Sequence, residues 1–401
     1  MNRIYPMSLN NQSDLKWYLF LIINVFITVF LIFCSKYEYL PLDNHFIPDS
    51  TFYENHVFNE FSRVGLGSGF TQLNRLLYSL GPQSFLIYNT IIMAGSVYCC
   101  SVMSEFSPKA VSWAKLSIVF NPFLLISMLG PSKECNLTFL SMLAIYCFLK
   151  KPFGYKVFGI IVAVAALFIR AQVSACIIVS LLLYIVLVVY RKPINICLVV
   201  LVAYFVLNSV PLFNEIITNS QGEELEFFKE SNIYEIALVL KEMSQNPVLQ
   251  FPAFIAKTAL IMFTPIARPN PLFANYIPLL DWGYTSLAMF MFPLNFSFLL
   301  LFIYQKRTSS SYLSIKGQFL IIYLFVGALS VIVSPNIQFR YLFPYIPILA
   351  GCYILHDSKI KDRIIIISSV IIITTFIITA IFFPKAWAVK STLSPFFISW
   401  L

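Results

Sequence analysis

Charge is scarce in this sequence, and histidine and glycine are scarcer. Asp, Glu, Lys and Arg together make up 11% of the 401 residues, with three histidines and 13 glycines. A soluble domain carries about a quarter charged residues, so a water-facing surface over the whole chain is excluded. Three histidines, one of them (His356) expected on the cytoplasmic side, argue against a histidine metal site. The short alternating segments of a β-barrel are missing. So are internal repeats, low-complexity tracts and any stretch polar enough to form a separate soluble domain. The eight cysteines (34, 99, 100, 135, 147, 176, 197 and 352) lie in or beside apolar runs without metal-ligand spacing and read as packing residues.

What is present is apolar: 59% hydrophobic and 17% aromatic, with 40 phenylalanines. Long apolar blocks of this kind suit a bundle of helices in lipid, where every backbone polar group must be satisfied within its own segment. The fold class expected is all-α, a polytopic transmembrane helical bundle of about eleven spans. They run near 17–34, 84–103, 112–129, 135–149, 156–169, 173–190, 194–212, 284–304, 318–334, 341–355 and 363–383. The first follows a polar start carrying Arg3 and Lys16 and has no small-residue cleavage site after it, so it reads as an anchor that stays. Residues 1–401 read as one integral-membrane domain.

Basic residues then orient the bundle. Lys109 and Lys115, Lys150, Lys151 and Lys156, Arg191 and Lys192, Lys306, Arg307 and Lys316, and Lys359, Lys361 and Arg363 mark alternate loops. Lys and Arg favour cytoplasmic loops, which puts the N-terminus inside and the C-terminus outside. The formal charge of +9 is thereby explained by topology, and no nucleic-acid partner is implied. The segment 253–264, bounded by Pro252 and Pro265 and carrying Lys257, is too short to cross comfortably and reads as a re-entrant or interfacial helix. Two long outer loops follow from this scheme. Residues 35–83 contain FTQLNRLLYSL, in which Phe70, Leu73, Leu76, Leu77 and Leu80 recur at helical spacing, as in a helix lying on a membrane surface. Residues 213–283 contain NIYEIALVLKEM, opened by an Asn232 and Glu235 capping-box pattern.

The same scheme collects unusual charges on the outer face: Asp49, Glu54, Lys133, Glu134, Arg170, Arg268 and Arg340, from different loops. Arginine offers a fork to phosphate oxygens and lysine a point charge, and a carboxylate beside them can take a proton from an attacking hydroxyl. Each has a plainer reading. Lys133 and Glu134 in GPSKE can be a helix start with Glu134 near the positive dipole end. Arg170 and Arg340 can reach to headgroups, and Asp49 can cap a helix starting near Thr51. Arg268 sits in a turn fenced by Pro265, Pro269 and Pro271. Glu54, His45 and His56 are second-rank candidates.

The acidic PDSTFYE in the first outer loop, LYSLGPQSFLIYNTIIMAG, NPFLLISMLGPSKE and the late FRYLFPYIPILAG together resemble integral-membrane glycosyltransferases of the GT-C type. Size, span number and the long second outer loop are most similar to O-antigen polymerases of Wzy type. That resemblance implies a bacterial inner-membrane enzyme with a periplasmic active site, joining repeat units carried on undecaprenyl diphosphate. It implies a base at Asp49, with Glu54 as substitute, and the outer-face charges themselves offer Glu134 as the other candidate base and Lys133, Arg170, Arg268 and Arg340 for diphosphate or glycan binding. The expected partners are membrane lipid, a lipid-linked oligosaccharide and a chain-length regulator. No metal or other cofactor is indicated, since a doubled acidic motif is missing, although a divalent cation is compatible with the chemistry. A GT-C transferase adding one sugar from a polyprenyl phosphate donor and a lipid-linked oligosaccharide flippase are the alternatives.

Overall fold

The computed structural model describes residues 11–36, 68–81, 83–190, 239–240, 242–246, 248–263, 290–298, 300, 314–333, 339–356 and 358–382. Among them every regular element is a helix, so the class is all-α. The elements are α1 (Asn11–Lys36), α2 (Ser68–Ser79), α3 (Gln83–Cys99, running on as a 3-10 turn Cys100–Glu105), α4 (Pro108–Val119), α5 (Pro122–Ser127) and α6 (Lys133–Leu149). They continue with α7 (Phe153–Leu167), α8 (Ala171–Tyr190), α9 (Gln250–Phe263), α10 (Ile315–Val333), a 3-10 turn Phe339–Tyr345, α11 (Ile346–Cys352) and α12 (Ser358–Phe382). Two helical stretches, Gln83–Glu105 and Ile315–Ile332, are long and apolar enough to cross a membrane. Leu15–Phe30, Phe153–Leu167, Ala171–Val186 and Tyr341–Leu355 are apolar but shorter. The expected span 194–212, most of 284–304 and most of 213–283, including the Asn232 cap, lie outside the described residues.

α6 is the hub. Cys135, Leu137, Ser141, Met142, Ala144 and Ile145 are among its many buried residues, and it packs on α3, α7, α8 and the 339–345 turn. A helix covered on nearly all sides needs its polar groups paired, and several are: Tyr323 on α10 donates to Ser141 Oγ at 2.9 Å. α7 is the opposite case. Its inward stripe is Gly159, Val162, Ala163 and Ala166, small enough for close approach, and a side chain at Gly159 would meet Phe148 and Cys147 of α6. Its other faces present Phe158, Ile160, Ile161 and Val164 outward.

Two expected elements are corrected. The run 112–129 is not one helix but α4 and α5, because Asn121 precedes Pro122 and adopts an extended backbone (φ −82°, ψ 106°) that a following proline favours. Asn121 Oδ1 then accepts from the N–H groups of Phe123 (3.1 Å) and Leu124 (3.2 Å), capping α5. Asn24 of α1 reaches in to donate to the Val119 carbonyl at 2.9 Å. The run 341–355 is likewise a 3-10 turn leading into α11, with Pro344 inside the turn and Pro347 in the first turn of α11.

α2 is a helix where the spacing places one. Its buried face is Phe70, Asn74 and Leu77, whereas Leu76 and Leu80 are 58% and 69% exposed. The apolar residues thus form one face at helical spacing, buried along the Phe70 and Leu77 edge and exposed along the Leu76 and Leu80 edge.

The basic segments gather at one end of the bundle. Glu105 meets Lys316 at 3.2 Å, Trp113 lies against Tyr353 with centroids 5.4 Å apart, and His356 Nε2 is 3.0 Å from the Ser297 carbonyl oxygen. At the other end α2 meets the α7–α8 turn, where Gly69 lies against Phe168.

Candidate functional site

The GPSKE segment is shaped from below. Asn89 of α3, buried, donates through one amide nitrogen to the carbonyls of Met128 and Gly130, each at 3.0 Å. This fixes the turn that ends α5. Ser132 is then the N-cap of α6, its Oγ accepting from the Cys135 N–H at 3.4 Å. The same hydroxyl donates to Glu134 Oε2 at 3.2 Å. Asn136 donates to the Ser132 carbonyl at 2.8 Å and accepts from the Tyr88 hydroxyl at 2.5 Å. A chain of hydrogen bonds thus runs from α3 to the carboxylate.

Lys133 and Glu134 are the first residues of α6, so the helix-start geometry is real, with Glu134 in the turn where a negative charge is favourable. The carboxylate also does something that a cap does not require. It lines a narrow cleft together with Leu137, Arg170, Gln172, Val173, Ser330, Tyr341, Pro344 and Tyr345. The water-accessible volume is about 10 Å³, close to the minimum for one water molecule.

Arg170 is fixed from both sides: its N–H donates to the Ala166 carbonyl at 2.8 Å, and its own carbonyl accepts from Ser174 N–H at 3.4 Å as α8 begins. Its guanidinium carbon lies 3.8 Å from the centroid of the Tyr341 ring, within stacking range. Gln172 donates to the Ser330 carbonyl at 2.7 Å, tying α8 to the end of α10. Lys133 Nζ sits 5.5 Å from the Phe70 ring centroid, which joins α2 to the start of α6.

Three of the outer segments expected to converge therefore do: SKE, FIRAQ and FRYLFP. Glu134 and Arg170 share the cleft, and Lys133 borders α2. Arg340 lies in the 3-10 turn directly before Tyr341, and its side chain is outside the described residues. Asp49, Glu54 and Arg268 are also outside them.

Sequence reading missed Tyr341, Tyr345 and Gln172. Tyr345 is 1% exposed, its ring abuts Gly327 of α10, and its hydroxyl lies by Cys176 and Ser330. The YxxxY spacing in FRYLFPY was the available signal, but nothing local distinguishes it from packing. No group of three or more metal-ligating side chains occurs among the described residues. Comparison with known protein families, curated proteins and solved structures finds no match to this chain.

Proposed function

We propose that this chain is a membrane-embedded glycosyltransferase that polymerises undecaprenyl-diphosphate-linked repeat units at the periplasmic face of a bacterial inner membrane. The observation that carries the reading is the convergence of Glu134 and Arg170 on one cleft, at the bundle end away from Lys316 and Glu105. A carboxylate residue and a guanidinium residue lining one cleft match what base-assisted attack on a diphosphate-linked sugar needs: one group to take the hydroxyl proton, one to hold the departing phosphate. Glu134 is the base in this reading unless Asp49, with Glu54 behind it, supplies that role. Arg170 holds phosphate, joined by Lys133, Arg268 and Arg340.

The membrane part of the proposal draws on the outward faces. Phe26, Ile91, Phe153, Leu182 and Ile366 are all more than half exposed, and moving one such side chain out of water is worth about 1.5–3 kcal/mol. Exposure of this kind on many helices is unfavourable in water and ordinary in lipid. Eleven spans, with the intervals between them as read above, complete the proposed topology.

The test is the surface polysaccharide of a deletion strain run on a gel. The polymerase reading expects the ladder of chain lengths to collapse to a single repeat unit and to return with the gene. An intact ladder would sink it, and loss of one sugar from an otherwise normal ladder would favour a single-sugar transferase. Cysteine labelling from outside the cell at 133 and at 306 checks orientation: 133 should react and 306 should not.

A further inference from the structure

At the bundle end opposite the cleft, the turn between α6 and α7 carries Lys150, Lys151 and Lys156, and the last two are exposed. These three belong to an unusual stretch: residues 135–214 contain six basic residues and no acidic one. The nearest carboxylate on α6, Glu134, is at the other end of the helix. Glu105, on this end, is held by Lys316 at 3.2 Å and by the Ser314 hydroxyl at 3.0 Å. The positive charge of the turn is thus left for something outside the described protein.

Aromatic groups surround it in a specific arrangement. Lys150 Nζ stands 4.4 Å from the Tyr146 ring centroid, and the Tyr146 hydroxyl is 3.2 Å from that of Tyr98 on α3. Tyr98 is 47% exposed, and Phe153 and Tyr155 on the other side are 78% and 46% exposed. The space around Gly154 is open. Lysines supply charge, the hydroxyl pair supplies one outward donor, and the outward rings supply an apolar rim at headgroup depth.

We infer that this patch binds the phosphodiester headgroup of an anionic phospholipid, with Lys150, Lys151 and Lys156 on the phosphate, the hydroxyl of the exposed Tyr98 donating to it while accepting from Tyr146, and Phe153 and Tyr155 against the acyl chains. Charge complementarity selects this occupant, because a zwitterionic headgroup would bring an ammonium into a patch that already holds three. The inference rests on the membrane part of the proposed function and not on catalysis.

The test is the full-length protein in neutral detergent, titrated with phosphatidylglycerol and read by native mass spectrometry, with phosphatidylcholine and inorganic phosphate as separate arms. The wild-type chain should retain phosphatidylglycerol preferentially. K156Q should lose about fivefold in apparent affinity and K150Q/K151Q/K156Q about a hundredfold, while K359Q/K361Q/R363Q, which removes as much charge elsewhere, should change little. Y98F should weaken binding with no change of charge. Unfolding midpoints in phosphatidylcholine establish that each variant is folded, and K156Q and Y98F decide the matter if the triple variant is not. Equal loss in the two triple variants, or competition by inorganic phosphate at the same concentration, would overturn the site. A chain that remains in the aqueous fraction would overturn the membrane reading and this inference with it, whereas loss of the polymerase reading alone would leave the lipid result standing.

Discussion

The two ends of the bundle solve the problem of charge differently. At one end Glu105 and Lys316 pair with each other, the two side chains being 26% and 36% exposed, and Lys109, Lys151, Lys156 and Lys359 are exposed. At the other end neutral groups help to place Glu134 and Arg170: a serine hydroxyl, an asparagine and a tyrosine behind the carboxylate, and a tyrosine ring beside the guanidinium. An exposed ion pair tolerates loss of geometry. A charge set by hydrogen bonds and ring contacts does not, and the difference teaches that the second end is built for position.

The largest expected effect breaks this contrast directly. Glu134→Gln as a mere helix start would cost about 0.3–1 kcal/mol, but loss of a general base costs about 100-fold to 10,000-fold in rate. We expect Glu134→Gln to abolish long-chain polymer at normal protein level, and Arg170→Lys to lose most of it, since lysine keeps the charge but neither the fork nor the flat stacking surface. A normal ladder from either strain would make this end equivalent to the other.

Next in size is Gly327→Ala. A Cβ there runs into the Tyr345 ring, and overpacking of this kind costs about 1–3 kcal/mol. A lower unfolding midpoint in detergent, with activity reduced more than abundance, is the expected result. Asn89→Ala removes both bonds to the turn before Ser132 and leaves buried carbonyls short of a donor, a loss of about 1–3 kcal/mol. It should weaken the cleft end without touching any residue that lines it. The smallest effect is at the other end. Lys316→Gln should change stability by at most about 1 kcal/mol and leave the ladder intact, and the difference should vanish in high salt.

Much of the fold was legible from runs of apolar residues, since α1, α3, α6, α7, α8, α10 and α12 fall where such runs do. The break at Asn121–Pro122 was also legible in principle, because the residue before a proline resists the helical conformation, but the surrounding hydrophobicity hides it. Which edge of the α2 face is buried was not. Periodicity groups apolar residues on a face and cannot tell which edge meets protein, so Asn74 was overlooked as an inward residue. The site was legible only as charges on one side. Its geometry depends on Tyr341, Tyr345, Gln172 and Ser330 arriving beside Glu134 from distant segments, and no local pattern encodes that meeting.

The 339–345 turn gives this a consequence in time. A chain emerging from the ribosome makes α3 through α8, and their contacts with one another, long before the turn exists. The wall formed by Tyr341, Pro344 and Tyr345 closes over Glu134 and Arg170 last, because contacts distant in sequence wait on those that are near. A nascent chain stopped after Val333 would therefore display its carboxylate and guanidinium on an open face, and synthesis of the 339–345 turn is itself the step that shelters them.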